Sequence, residues 1–255
     1  QNGPHAKLAG FGNLGAALAG IWELVGWPDR APSGPFAAYT DYIAPRFSLC
    51  ALLAALEHRR RTGEGQLIDV AQVEAALQFV APVIAEASET GRDVTRAGNA
   101  DARFALHGVF PAAGEQRWIA IAARTRAEWR AAAGVLGCDP EAPDEQAVAA
   151  ATAKHDAHAL AERLQVAGVP AHAVQSSAEL SADPQLAARE HFLAALHPTE
   201  GASWIEASRF QLSRTPARIP TVAPALGGDN EFVLRTLLGY DDARIEALAL
   251  SEALQ

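Results

Sequence analysis

Cysteine is nearly missing from this chain. Cys50 and Cys138 are the only two, and they fall in neither a CxxC pair nor the spacing of a metal-ligand set. A disulfide framework and a thiolate metal site are therefore excluded. Cys50 lies at an apolar helix position and is expected in a core. Cys138 follows Gly137 and is expected near a helix end. Methionine is absent altogether, the initiating residue included, so the chain reads as a piece of a longer protein. No uninterrupted apolar run approaches the roughly 20 residues of a membrane span. The polar opening QNGPHAKLAG lacks the apolar centre of a secretory signal. A cytoplasmic protein without a membrane partner is expected. Basic residues are also scarce, 21 Lys and Arg against 30 Asp and Glu, for a net charge of −9. That balance argues against a nucleic-acid partner, which requires a basic surface. The one basic cluster, Arg59, Arg60 and Arg61, reads as a solvated helix end. Internal repeats and low-complexity tracts are lacking too. What remains is ordinary for a soluble globular chain: 49% hydrophobic and 20% charged residues over 255 positions, with room for one large domain or two small ones.

The most informative stretch covers residues 34–74. Gly34 and Pro35 form a turn before a lone acid, Asp41, set between Tyr39 and Tyr42. An apolar helical run follows, about 46–56, and ends in the basic cluster. The acid at the entrance and the cations at the exit suit the two ends of a helix dipole. A Gly-containing turn over 62–66 precedes a short apolar β-like segment, 67–70, and a new helix begins near Ala71. On spacing alone Asp41 reads as a cap or first-turn acid, worth about 1 kcal/mol.

Upstream, residues 9–22 are small and apolar, with glycine at 10, 12, 15 and 20, which suits close backbone packing, as a tightly packed helix over most of the run or as irregular chain beside a ligand. Residues 26–35 are loop by their Pro and Gly content. Downstream, 88–97 reads as linker, and a β-hairpin is expected from 105–110 and 117–122. Thr125 with Glu128 has capping-box spacing for a helix ended by Gly137. Residues 145–167 form one or two helices, on which His155 and His158 read as solvent-facing. A strand is expected up to Val174, a short helix capped by Ser177, another from Asp183–Pro184, a turn at 197–201, and two closing helices at 231–238 and 242–250. His107, alone in the hairpin, reads as a surface or hydrogen-bonded histidine rather than a base.

The order of these signals resembles the family III CoA-transferases, a group that also contains the α-methylacyl-CoA racemases. The resemblance rests on Asp41 after its Gly/Pro turn, on Arg59 to Arg61 followed by Thr62-Gly63-Glu64-Gly65-Gln66, and on Ile68-Asp69 through Glu74. It extends to the Gly98-Asn99 pair with Trp118 to Ala122, and to the run from Gly168-Val169-Pro170-Ala171 to Asp183-Pro184-Gln185-Leu186. It implies an α/β fold: an incomplete large domain plus a small α/β domain, of the interlocked-dimer type. Residues 1–97 are then the remainder of the large domain, 98–195 the small domain, and 196–255 the return to the large domain. The family's Rossmann-like N-terminal half is not in this sequence.

The implied activity moves CoA from an acyl-CoA donor to a carboxylic acid acceptor. Asp41 carries the acyl group as a mixed anhydride and then the CoA as an aspartyl thioester. Phe11, Tyr39, Tyr42 and Asn99 are the implied substrate-binding residues. The CoA thioester is the substrate, with no other cofactor and no metal, and a homodimer is the implied assembly. Two alternatives stay open. One is an α-methylacyl-CoA racemase, which needs an acid/base on each face of the α-carbon; this chain has Phe11 where that branch has a histidine. The other is a non-catalytic half that completes a partner's site. Some transferases cover the site with a Gly-rich loop after the Gly-Asn pair. Residues 100–104 here have no glycine, which predicts a stiffer loop.

Overall fold

The glycine-rich opening folds as two short helices rather than one. The computed structural model describes residues 3–4, 6–197, 199–217, 222–251 and 253–254. The Asn-Gly-Pro content of residues 1–4 also predicts a turn; Gln1 and Asn2 of it, and Pro198 of the turn expected at 197–201, lie outside the described residues. Helix α1 (Gly12–Leu18) is separated from α2 (Ile21–Leu24) by Gly20, whose φ of 77° is left-handed. Helix α3 (Tyr39–Thr62) carries Asp41 in its first turn and Arg59, Arg60 and Arg61 in its last, and Gly63 caps it at φ 81°. Helix α4 (Gln72–Thr90) ends the same way at Gly91. These helices meet through small side chains. Ala16, Ala19, Ile21, Ala76 and Val80 form one cluster, and Ile43, Ala44 and Ala75 form another.

Two expectations are corrected here. The segment over 67–70 is not a strand: it forms no ladder, and Leu67 is 93% exposed. Apolar content alone does not make a strand where no neighbour exchanges hydrogen bonds with it. Cys50 is exposed, not core, because α3 carries Leu49, Leu52, Leu53 and Leu56 around it and all four are exposed as well.

The hairpin forms as expected from β1 (Leu106–Pro111) and β2 (Trp118–Ala123). With β3 (Ala171–Ala173) they make an antiparallel sheet in the order β1-β2-β3. Strand β2 alternates: Ile119, Ile121 and Ala123 are buried, while Trp118, Ala120 and Ala122 are not. The buried face packs on α5 (Arg126–Leu136), α6 (Glu145–Thr152) and α7 (Ala157–Val166), with Trp129, Val148, Leu160 and Leu164 at the centre. Thr125 caps α5 by accepting from the Glu128 N–H at 3.1 Å.

The chain divides into two compact units, 1–174 and 175–255. In the second unit Ser176, one residue before the expected Ser177, caps α8 (Ser177–Ser181) in a full capping box with Glu179. Asp183 caps α9 (Pro184–Ala188). A hairpin not anticipated from the sequence follows, β4 (Phe192–His197) paired with β5 (Gly201–Glu206). Residues Phe232–Leu237 form one wide π-type turn, and Asp242–Leu250 forms the last helix, α10. The architecture is thus mixed α/β. Among the described residues no helix is long and apolar enough to cross a membrane.

Candidate active site

The first turns of α1 and α3 meet at a single place, and Asp41 is there. The contact is possible because α1 presents glycine at positions 12 and 15, three apart and hence on one face. A Cβ added at Gly12 would stand 2.7 Å from Asp41 Oδ2 and 2.6 Å from Ala38 Cβ; one added at Gly15 would stand 2.8 Å from Thr40 Oγ1. A methyl at either point would force the facing side chain or the helices to shift. Thr40 is fully buried, and its hydroxyl donates to the Gly12 carbonyl at 2.9 Å. The Gln72 side-chain amide of α4 lies 3.4 Å from the same hydroxyl.

The Asp41 side chain is exposed, and among the described residues no donor reaches its carboxylate. It lies in the first turn of a 24-residue helix, where the N-terminal end of the dipole favours negative charge. Pro45 follows four residues later inside α3. It has no N–H to donate to the Asp41 carbonyl, so the helix is loosened at the acid itself.

The other expected site residues are placed as follows. Phe11 is the residue before α1 and is 83% exposed. With Leu8, Gly10, Gly15, Gln72 and Glu74 it lines an open cleft of about 1000 Å³. Asp41 is not among the cleft's lining residues; it adjoins the same α1 segment through Gly12. Tyr39 is half-buried and packs against both alanine clusters, whereas Tyr42 is 61% exposed beside Asp41. Asn99 lines a separate cavity of about 530 Å³ on the open face of the three-stranded sheet, together with His107, Ala120, Ala122 and His172. Its carbonyl accepts from His107 Nδ1 at 2.7 Å. His107 is thus a hydrogen-bonded histidine, as read from sequence. The Gly98-Asn99 pair is anchored upstream: Gly98 N–H donates to Gly26 O at 3.0 Å, and a Cβ at Gly98 would meet the Trp27 ring at 2.5 Å.

Gly12 and Gly15 were expected only as close-packing positions, which they are, and Thr40 and Gln72 carried no expectation. A signal did exist, in the i, i+3 pair of glycines and in the β-branched hydroxyl directly before the acid.

The loop over 100–104 is tied down. Asp101 takes Arg103 Nε at 2.9 Å, Nη2 at 2.6 Å and the Arg103 backbone N–H at 3.0 Å. The Phe104 ring lies 4.9 Å from that of His107. The Arg103 guanidinium and N–H hold the Asp101 carboxyl well below the usual carboxylate range. Because the folded value is depressed, the contact contributes fully above the ordinary Asp value of about 3.9 and is lost only as pH falls through the lower folded value. Asp101→Ala is expected to speed amide exchange at 101–104 several-fold at neutral pH, read by hydrogen-exchange mass spectrometry. The unsubstituted loop should keep its protection down to the ordinary Asp value.

The mixed α/β chain thus presents an exposed aspartate in a helix first turn, at a junction where glycine lets two helices approach closely. The family model described as CoA-transferase family III matches residues 1–230, and the chain belongs to that family. It is 30% identical over 258 residues to the succinyl-CoA–D-citramalate CoA-transferase of Chloroflexus aurantiacus, covering 95% of this chain and 64% of that protein. It is 29% identical to the succinate–glutarate CoA-transferase of Agrobacterium fabrum, covering 93% and 63%. The chain thus spans just under two thirds of these relatives' length. A CaiB/BaiF family protein from Brucella suis superposes with a TM-score of 0.81 at 23% identity, over 92% of this chain and 65% of that one. That likeness establishes the family III CoA-transferase fold.

Proposed function

We propose that the protein transfers CoA between carboxylic acids and that Asp41 is the covalent carrier. The observation that supports this most is the state of Asp41: an exposed carboxylate in a helix first turn, with no hydrogen bond among the described residues, seated against a glycine. A carboxylate placed this way has its oxygen lone pairs free to act as a nucleophile.

In the proposed sequence a carboxylate oxygen of Asp41 attacks the thioester carbonyl of the donor. The C–S bond breaks, CoA leaves as thiolate, and a mixed anhydride remains on Asp41. The thiolate attacks the Asp41 carbonyl of that anhydride and expels the donor acid as its carboxylate, leaving an aspartyl-CoA thioester. The acceptor carboxylate then attacks the aspartyl carbonyl and expels the thiolate. The thiolate attacks the acceptor's acyl carbon and releases Asp41. No net proton is taken up or lost, and each bond broken is replaced by another activated acyl bond. Backbone N–H groups of the first turn of α3 are the proposed partners of the oxyanions. Phe11, Tyr39, Tyr42 and Asn99 are the proposed substrate contacts, and the CoA ester is the substrate, with no further cofactor.

The named relatives act between dicarboxylic acids, so donor and acceptor are proposed to be of that class. The proposed assembly is an interlocked homodimer, which fits the exposed apolar residues of α3. A reducing, cytoplasmic setting fits the two free thiols. The proposed domain division remains 1–97, 98–195 and 196–255; the core cluster running from Leu106 to Ala173 supports a small domain opening near Gly98.

The test incubates the enzyme with succinyl-CoA and isotope-labelled glutarate or citramalate, and follows both products by mass. Labelled acyl-CoA is expected, and hydroxylamine should trap an acyl group on the Asp41 peptide. Solvent deuterium entering the α-carbon of a chiral acyl-CoA without CoA transfer would overturn the reading in favour of racemisation, for which Phe11 supplies no base.

A further inference from the structure

We infer that Thr40 is a positioning residue for the Asp41 carboxylate, acting through its buried hydroxyl. The inference rests on Asp41 being the nucleophile. The Thr40 side chain has no exposure and, from its Oγ1 to the Gly12 carbonyl at 2.9 Å, bonds together the two helices that bracket the carboxylate. Gly12 is also the residue whose backbone limits where the carboxylate can lie, since anything larger would overlap Oδ2. The hydroxyl therefore sets the spacing between the first turn of α1 and the first turn of α3, one residue before the acid. Gln72 of α4 touches the same hydroxyl and also lines the cleft beside Phe11, so one buried group links α1, α3 and the cleft wall.

Valine at 40 keeps the shape and the β-branch but puts a methyl where the bond was. A methyl carbon rests about 3.3–3.6 Å from a carbonyl oxygen, against the 2.9 Å observed here. The first turn of α1 must then move by roughly half an ångström, and reactions of this kind lose on the order of 10²-fold per ångström of misplacement.

The experiment measures kcat and KM for CoA transfer, and thermal stability, in the active protein bearing Thr40→Val, Thr40→Ser, Gly15→Ala or Asp41→Ala. Thr40→Val is expected to lower kcat by about tenfold with KM within about twofold of the parent. Thr40→Ser, which restores the hydroxyl, should recover most of kcat. Gly15→Ala reaches the same bond from the other side, because its Cβ would stand 2.8 Å from Oγ1. It should reproduce the kcat loss, and the double variant Thr40→Val/Gly15→Ala should lose less than the product of the two.

If Thr40→Val yields too little folded protein, Gly15→Ala read against Thr40→Ser decides the matter alone. Wild-type kcat in Thr40→Val or in Gly15→Ala overturns the inference, as does a Thr40→Ser variant as slow as Thr40→Val. Transfer surviving in Asp41→Ala overturns the nucleophile assignment and this inference with it. An inactive Asp41→Ala beside a normal Thr40→Val overturns the positioning role alone.

Discussion

Asp41→Ala and Asp41→Asn are expected to remove CoA transfer almost completely while leaving the protein folded. An amide or a methyl cannot form the anhydride, and loss of a covalent nucleophile costs kcat roughly 10⁴-fold or more. The fold should tolerate both changes, because the side chain is exposed and anchors nothing. What is lost structurally is a favourable charge at a helix N-terminus, worth about 0.3–1 kcal/mol. The asparagine variant is the sharper of the two. It keeps the volume against Gly12 and changes only nucleophilicity. Steady-state exchange of labelled acid into acyl-CoA measures the loss, and intact mass after acid quench should show no adduct on either variant. Asp41→Glu should keep a weak activity, since its longer stem carries the carboxylate past the Gly12 contact without abolishing its chemistry. An asparagine variant that still exchanges label at a rate near the parent's would rule out covalent transfer through this residue.

Local signals in the sequence reach the helices whose ends carry chemistry and stop where a partner decides. Helix α3 was legible because Asp41, the three arginines and Gly63 mark its two ends. The β1–β2 hairpin was legible because two apolar runs flank a turn. Leu67 to Val70 has the composition of a strand and no strand to pair with. The reverse happened at β4 and β5. FLAALH is a nearly continuous apolar run that does not alternate, so its pairing with GASWIE became visible only through the register Phe192↔Glu206 to His197↔Gly201. Cys50 was misplaced because the apolar residues of α3 do not gather on one stripe, and a core position cannot be told from an exposed one. The same limit governs the site. Asp41 stands out as a lone acid, but the bond that fixes the residue before it, from Thr40 to Gly12, spans 28 residues, a contact that no local pattern encodes. The glycines at 12 and 15 looked like general packing residues. Only the geometry distinguishes them from Gly10 and Gly20, around which a Cβ would meet nothing within 4 Å.

Gly12→Ala is expected to be the most damaging single-methyl change near the site. The new Cβ has three atoms inside van der Waals range, Ala38 Cβ at 2.6 Å, Asp41 Oδ2 at 2.7 Å and Asp41 Cγ at 2.8 Å. The carboxylate can rotate away about its own side chain. The alanine Cβ is fixed to the backbone, so α1 and α3 must also part. Overpacking of this kind costs about 1–3 kcal/mol, and thermal unfolding should register it. The larger effect is kinetic. Rotation of the carboxylate and separation of the helices both displace the attacking oxygen, and an ångström of misplacement is worth on the order of 10²-fold in rate. The loss should fall on kcat rather than KM, because the change lies at the reacting carboxylate and not in the cleft lining. Gly134→Ala supplies the control. It sits within α5 with nothing within 4 Å of its Cβ, and there the same substitution should raise stability by about 1 kcal/mol through helix propensity and leave transfer unchanged. If Gly12→Ala behaves like Gly134→Ala, the carboxylate is not confined by α1, and Asp41 works with a freedom that the packing of these two helices does not allow.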